Sequence, residues 1–267
     1  MTESSSIGLV LGAGGTAGAH WIRGVLNGLE ERYGFKPEHA SVLIGTSIGA
    51  IKAAAVGPHA EPPASVVQAL EGAGTVPTRP AWHSSMLASA RTLAGQSLAA
   101  VSRSGEFDPL GWVGAVNPNS RAQVCSTRRW PPDRRVASLT DSVDPHREIG
   151  ASAAVPFGAR HVMIDGTPHL DGAVWSVTNA DLAAPHQLDV LVVIAPLVAT
   201  TGGTLVSGLG RHQLAVELEP WRLASKPVFV LAPSSEHYAS RNEFERHQSD
   251  AYQLVVSNAA APTKPST

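Results

Sequence analysis

The chain has 267 residues and a mass of 27.8 kDa, with 43% hydrophobic and 16% charged residues. That balance excludes wholesale disorder and fits one α/β domain. Lys and Arg number 20 against 22 Asp and Glu, for a net charge of -2, so no basic excess is present to follow a nucleic-acid backbone. The one cysteine, Cys125, excludes an internal disulfide and a cysteine-based zinc site, and a reducing, cytoplasmic home is expected.

The N-terminus MTESSS has no Lys or Arg ahead of the apolar run Ile7 to Leu11. That run is too brief for a signal-peptide core. No stretch of about 18 apolar residues is present to span a bilayer. Ile7 to Leu11 reads as a buried parallel strand. A flexible glycine loop, Gly12 to Gly18, follows it. Trp21, Ile22, Val25, Leu26 and Leu29 then recur at helical spacing over 19–33, ending near Gly34. Ser41 to Gly45 is a second strand, and Thr46 to Ala55 turns at once into a helix of small residues. Strand, helix, strand, helix predicts a mostly parallel sheet with helices on its faces, a three-layer α/β/α architecture.

Nine prolines punctuate residues 57–135. We read this stretch as a variable insertion or cap within one domain of residues 1–258. Inside it, Trp82 to Val101 is helical, and Gln123 to Thr127 is a strand. A helix over 147–155 stops at Pro156. His161 to Ile164 and His169-Leu170 flank Asp165-Gly166, a hairpin signal. Leu188 to Ala195 is an apolar central strand, and Pro227 to Leu231 is another. A closing helix is expected over 236–256, and residues 259–267 form a disordered tail.

Gly45-Thr46-Ser47-Ile48-Gly49 fits G-x-S-x-G where a buried strand meets a small-residue helix. A serine there occupies a sharp turn that exposes its hydroxyl, and the flanking glycines remove side chains that would clash. A tight strand-to-helix turn needing only small residues gives the same pattern. The Gly12–Gly18 loop supplies unhindered N–H groups for an oxyanion. It also fits a dinucleotide fingerprint, Gly12-x-Gly14-x-x-Ala17, but no acid stands at the end of the second strand to support that reading.

A serine needs a proton acceptor. His212, His237 and His247 sit in no distinctive motif. Asp165 is accounted for by its turn. Asp171-Gly172-Ala173 follows a strand at once, where a side chain reaches the sheet edge, although Asp-Gly is also a common turn.

Three ordered blocks give the chain its resemblance to the patatin-like phospholipase family. They are the glycine loop Gly12–Gly18 (GAGGTAG), the serine block Ile44–Ala50 (IGTSIGA), and the acid block Leu170–Ala173 (LDGA). Ala151 to Pro156 (ASAAVP) precedes the acid block, and Val177 to Leu182 (VTNADL) follows it. The likeness covers residues 7–56 and 147–196 well and the middle poorly.

It implies a hydrolase of lipid carboxylic esters with a Ser47–Asp171 dyad and no histidine. Gly14 and Gly15 would form the oxyanion hole, with Gly12, Gly18, Gly45, Gly49 and Gly172 as supporting glycines. No metal or cofactor is implied. The expected partners are a lipid or other acyl-ester substrate and a peripheral membrane contact, with no nucleic acid. Two departures stand out: Ala13 replaces the family's second loop glycine, and Ala17 replaces its basic residue, which removes a charge suited to a phosphate headgroup. The apolar middle region offers Trp82, Met86, Leu87, Trp112 and Val113 as candidates for an acyl groove, with ordinary core packing as their competing role. A Ser–His–Asp esterase and a lipid-binding module without catalysis are the alternative functions.

Overall fold

Five apolar residues, buried on both faces, make the first strand, β1 (Ile7–Leu11). In the computed structural model, which describes residues 6–198, 205–233 and 244–257, β1 lies between two parallel neighbours. On one side is β2 (Ala40–Thr46), with Leu11 opposite Gly45. On the other is β7 (Val190–Ile194), with β8 (Val228–Leu231) parallel beyond it. Strands buried on both faces read as continuous apolar runs, which is why these were visible in the sequence.

The outer strands are mixed. β3 (Gln123–Arg128) runs parallel to β2 and antiparallel to β4 (Asp133–Ser138) along its whole length. β6 (Thr167–Asp171) is antiparallel to β3 and forms a hairpin with β5 (Val162–Ile164) around Asp165-Gly166. The main path through the sheet is β5-β6-β3-β2-β1-β7-β8.

Alternate residues of each central strand face opposite layers. Leu9, Leu11, Val192 and Ile194 face a layer of helices α1 (Gly15–Tyr33), α2 (Ile48–Ala54), α3 (Ala64–Ala73), α5 (Pro145–Ser152) and α8 (Phe244–Ser257). Val10, Ile44, Leu191 and Val193 face Leu214 of α6 (Leu205–Glu217) and Trp221 of α7 (Glu219–Leu223). The protein is α/β, with a mostly parallel mixed sheet between helical layers. Helix α4 (Trp82–Val101) lies against α6 and against the 3-10 turn Gly172–Val174.

Several expectations change. Helix α1 starts at Gly15 rather than Ala19, and Gly18 N–H donates to Gly14 O at 2.9 Å. The open loop is therefore only Gly12 to Gly14, because the glycines that suggested flexibility also fit a helix wherever packing holds it. Within residues 57–135 the strand expected at 123–127 is present as β3, and an unexpected helix joins the core. Helix α3 puts Val66, Val67 and Leu70 into the main core, and β3 is a sheet strand. Helices α3, α6 and α7 and strand β4 were not foreseen. Strand β4 is charged (DRRVAS) and pairs within the sheet only with β3, and at an edge charge is tolerated. The closing helix is described from Phe244; residues 236–243 and the tail 259–267 lie outside the described residues. No described helix is long and apolar enough to cross a membrane.

Candidate active site

One residue separates β2 from α2, and it is Ser47. Its backbone sits at φ 58, ψ -122. This conformation costs a non-glycine residue about 1–3 kcal/mol and persists only where the surroundings enforce it. They do so here. A Cβ on Gly49 would overlap the Leu11 carbonyl oxygen, and one on Gly45 would lie 2.6 Å from Ala50 Cα. Bare backbone on both sides lets α2 fold directly back over β1. Ser47 N–H donates to Ser152 Oγ of α5 at 2.9 Å.

Asp171 arrives from the opposite direction. Strand β4 occupies one edge of β3, so β2 and β6 share the other. Thr46 is opposite Cys125 and Asp171 is opposite Ser126. The C-terminal ends of β2 and β6 therefore meet head-on at one step of β3. Ser47 Oγ donates to Asp171 Oδ2 at 2.6 Å, and Ala173 N–H donates to Asp171 Oδ1 at 2.8 Å. Asp171 N–H donates to Ala154 O at 2.8 Å, and Thr127 Oγ1 donates to Asp171 O at 3.0 Å. A Cβ on Gly172 would overlap the Cys125 carbonyl oxygen. Ser47 is 7% exposed and Asp171 3%. Burial pushes the Asp171 carboxyl up to about 6, against the pull of the Ser47 and Ala173 hydrogen bonds.

The glycine turn lies beside this pair, since β1 and β2 are in register at Leu11 and Gly45. Gly12 and Ala13 N–H are taken by Ile194 O and Val177 O, both at 2.8 Å. Gly14 and Gly15 N–H find no acceptor among the described residues, as expected at a helix start. The first turn of α1 carries no acid, so the positive end of its dipole is left uncompensated. Gly14 and Gly18 both pack against Pro196, where a Cβ would lie 2.8 Å and 3.2 Å from its Cβ.

Among the described residues no histidine bonds to Ser47 or Asp171. His212 Nδ1 is 3.1 Å from Ser84 Oγ, His247 lies on α8, and His237 is outside the described residues. No cluster of three or more His, Cys, Asp or Glu side chains among the described residues could hold a metal ion.

A second buried polar network, not foreseen from the sequence, braces the serine turn. Asn179, at φ 53, donates from Nδ2 to Thr46 Oγ1 at 3.0 Å. Glu217, at the end of α6, accepts from Ser176 Oγ at 2.5 Å, Thr178 Oγ1 at 2.6 Å and Ala180 N–H at 3.0 Å. Arg134 of β4 forms a two-pronged pair with Asp181, both contacts at 2.8 Å. An asparagine is prone to this left-handed backbone, so Asn179 carried a signal; Glu217 carried none. Glu217→Ala would strand two hydroxyls and an N–H in the core. The expected loss is about 3–5 kcal/mol of stability in chemical denaturation, well beyond a surface change.

The acyl-groove candidates do not come together. Trp82, Met86 and Trp112 are exposed, while Val113 is a core residue. Helix α4 does wall a groove of about 620 Å³ against α6, but through Ala88, Thr92, Leu93 and Gln96.

No family model matches the chain, and no curated protein matches it in sequence. Among solved structures the chain is similar to VipD from Legionella pneumophila, at 13% identity and a TM-score of 0.43. The match covers 96% of this chain and 66% of that one, so the chain spans just under two thirds of the neighbour's length.

Proposed function

We propose that the protein is a serine acyl hydrolase of the patatin-like kind, cleaving carboxylic esters of lipids through a Ser47–Asp171 dyad. The observation that carries this reading is the 2.6 Å bond from Ser47 Oγ to a buried carboxylate, at a strained turn beside two uncommitted N–H groups. Ser47 Oγ attacks the ester carbonyl carbon while Asp171 Oδ2 takes its proton. Gly14 and Gly15 N–H bind the oxyanion, each such donor contributing about 3–4 kcal/mol in the transition state. The proton passes to the departing alkoxide, leaving an acyl-enzyme. Water, deprotonated by Asp171, then adds to the acyl carbon and releases the fatty acid and the Ser47 hydroxyl. A carboxyl raised to about 6 by burial is a stronger base than an ordinary aspartate. A lipid as the substrate class rests on the resemblance that the three sequence blocks carry.

The test is hydrolysis of a short-chain p-nitrophenyl ester across pH. Only the ionised carboxylate accepts the proton, so turnover falls as pH drops through about 6 and is flat above it. Stability runs the other way. The folded state holds this proton more tightly than the unfolded chain, so the contribution favours folding at low pH and is lost between about 4 and about 6. Separate His212, His237 and His247 substitutions are expected to leave turnover within about twofold. Loss of activity in any one of them points instead to a Ser–His–Asp esterase.

A further inference from the structure

We propose that the outer face of α4 docks the protein on an anionic lipid surface. Trp82 and Met86 lie one helical turn apart on that face, 79% and 64% exposed, and Leu93, which also borders the groove against α6, lies at its lip. The one Lys, Arg, Asp or Glu in these 20 residues is Arg91, about half a turn away from Trp82. Arg91 turns inward, its guanidinium donating to Ala173 O at 2.5 Å and Val174 O at 3.2 Å. The exposed side of the helix is therefore apolar and hydroxyl-bearing, with no charge from Lys, Arg, Asp or Glu. A soluble helix with nothing to cover normally carries charge there.

Charge around the helix selects the occupant. Between exposed Glu71 and exposed Glu106 the chain carries no Asp or Glu, and its cations besides Arg91 are exposed Arg79, just before the helix and within electrostatic reach of Glu219 of α7, and exposed Arg103, just after the helix. An apolar strip with an indole at one end and a guanidinium beyond each end matches the boundary of an anionic bilayer, where indole rings and arginines settle. The chain leaving α4 stays at the surface, where Gly105 N–H donates to Ala159 O at 2.9 Å and Phe107 N–H to Gly158 O at 3.1 Å. Exposed Phe107 there stacks edge-on against exposed Trp112, with ring centroids 4.7 Å apart.

Arg91 ties this helix to the turn whose Ala173 N–H holds the Asp171 carboxylate. A lipid held on α4 is thereby linked, through Arg91, to the turn that holds the Asp171 carboxylate. The inference rests on the proposed function only in taking a lipid as substrate.

The test is co-sedimentation with vesicles of phosphatidylcholine alone and of phosphatidylcholine mixed with phosphatidylglycerol. Soluble-ester turnover is measured alongside. The native chain is expected to bind the anionic vesicles at least roughly tenfold more tightly than the neutral ones. Trp82→Ser with Met86→Glu is expected to weaken that binding roughly tenfold or more. Arg79→Gln with Arg103→Gln is expected to remove the preference for phosphatidylglycerol. Both double variants keep soluble-ester turnover. Ser47→Ala is expected to bind vesicles like the native chain while losing ester turnover by roughly 10³-fold or more, so docking and catalysis are scored separately. Equal vesicle binding by the native chain and the Trp82/Met86 variant overturns the proposal. So does a native chain that binds no vesicle. So does a dimer in sedimentation velocity that the same variant abolishes, which would assign the face to a second copy of the chain.

Discussion

Ser47→Ala is expected to lower ester turnover by three to four orders of magnitude, roughly 10³- to 10⁴-fold, with KM for the same ester little changed. Oγ is the only heavy atom removed, and its 2.6 Å bond to Asp171 goes with it. Asp171→Asn is expected to fall by a similar factor, because an amide accepts no proton and presents the same shape. The pair act as one unit, so the double variant is expected to be no worse than either single one. Stability separates the chemical role from the structural one. At φ 58, ψ -122, alanine keeps the backbone strain and glycine relieves it. Ser47→Gly is therefore expected to be more stable than Ser47→Ala by about 1 kcal/mol in urea or guanidinium unfolding, although both are inactive. Native turnover by Ser47→Ala, or absence of fluorophosphonate labelling at Ser47 in the native chain, would end the assignment.

Gly49→Ala has the second large effect, and it reaches activity through packing. The added methyl would collide with the carbonyl oxygen of Leu11 and lie 2.8 Å from that of Gly12. Both are backbone atoms of β1 and the turn after it, so neither can swing aside. Helix α2 must retreat from the sheet. Overpacking of this kind costs about 1–3 kcal/mol, and backbone contact puts it at the upper end. The retreat carries Ser47 away from the Gly14 and Gly15 amides. A displacement near 1 Å is worth about 10²-fold in rate. The expected variant is folded, less stable, and about 100-fold slower at every pH. Full activity at unchanged stability would mean that α2 approaches β1 less closely than described here.

The legible parts of this chain were those with one local cause. Apolar runs buried on both faces announced β1, β2 and β7, and Asp165-Gly166 announced the β5–β6 hairpin. Ser47 was visible because strand, serine and small-residue helix lie next to one another in sequence. Asp171 was visible because a strand ends on it. Other features depend on distant partners. Strand β4 is charged and becomes a strand only by lying along β3. Helix α3 hides among prolines and becomes a helix by placing Val66, Val67 and Leu70 in the core. Ser152 and Glu217 show no local pattern. Their roles come from contacts across 105 and 37 to 41 residues of chain. Trp82 and Met86 misled in the opposite sense, because an apolar helical stripe normally points inward and this one points out.

The meeting of β2 and β6 on one edge of β3 makes that third strand a ruler for the chemistry. One residue added or removed between Gln123 and Arg128 would slide one end past the other by about 3.3 Å and turn the carboxylate to the opposite side of the sheet. The tight bend at residues 130–132 lies beyond the last contact with β6, the bond from Arg129 N–H to Pro168 O, and carries no such constraint. Insertions and deletions are therefore sorted within a few positions of each other: lengthening the bend is expected to preserve the Ser47–Asp171 bond, and lengthening the ruler to break it.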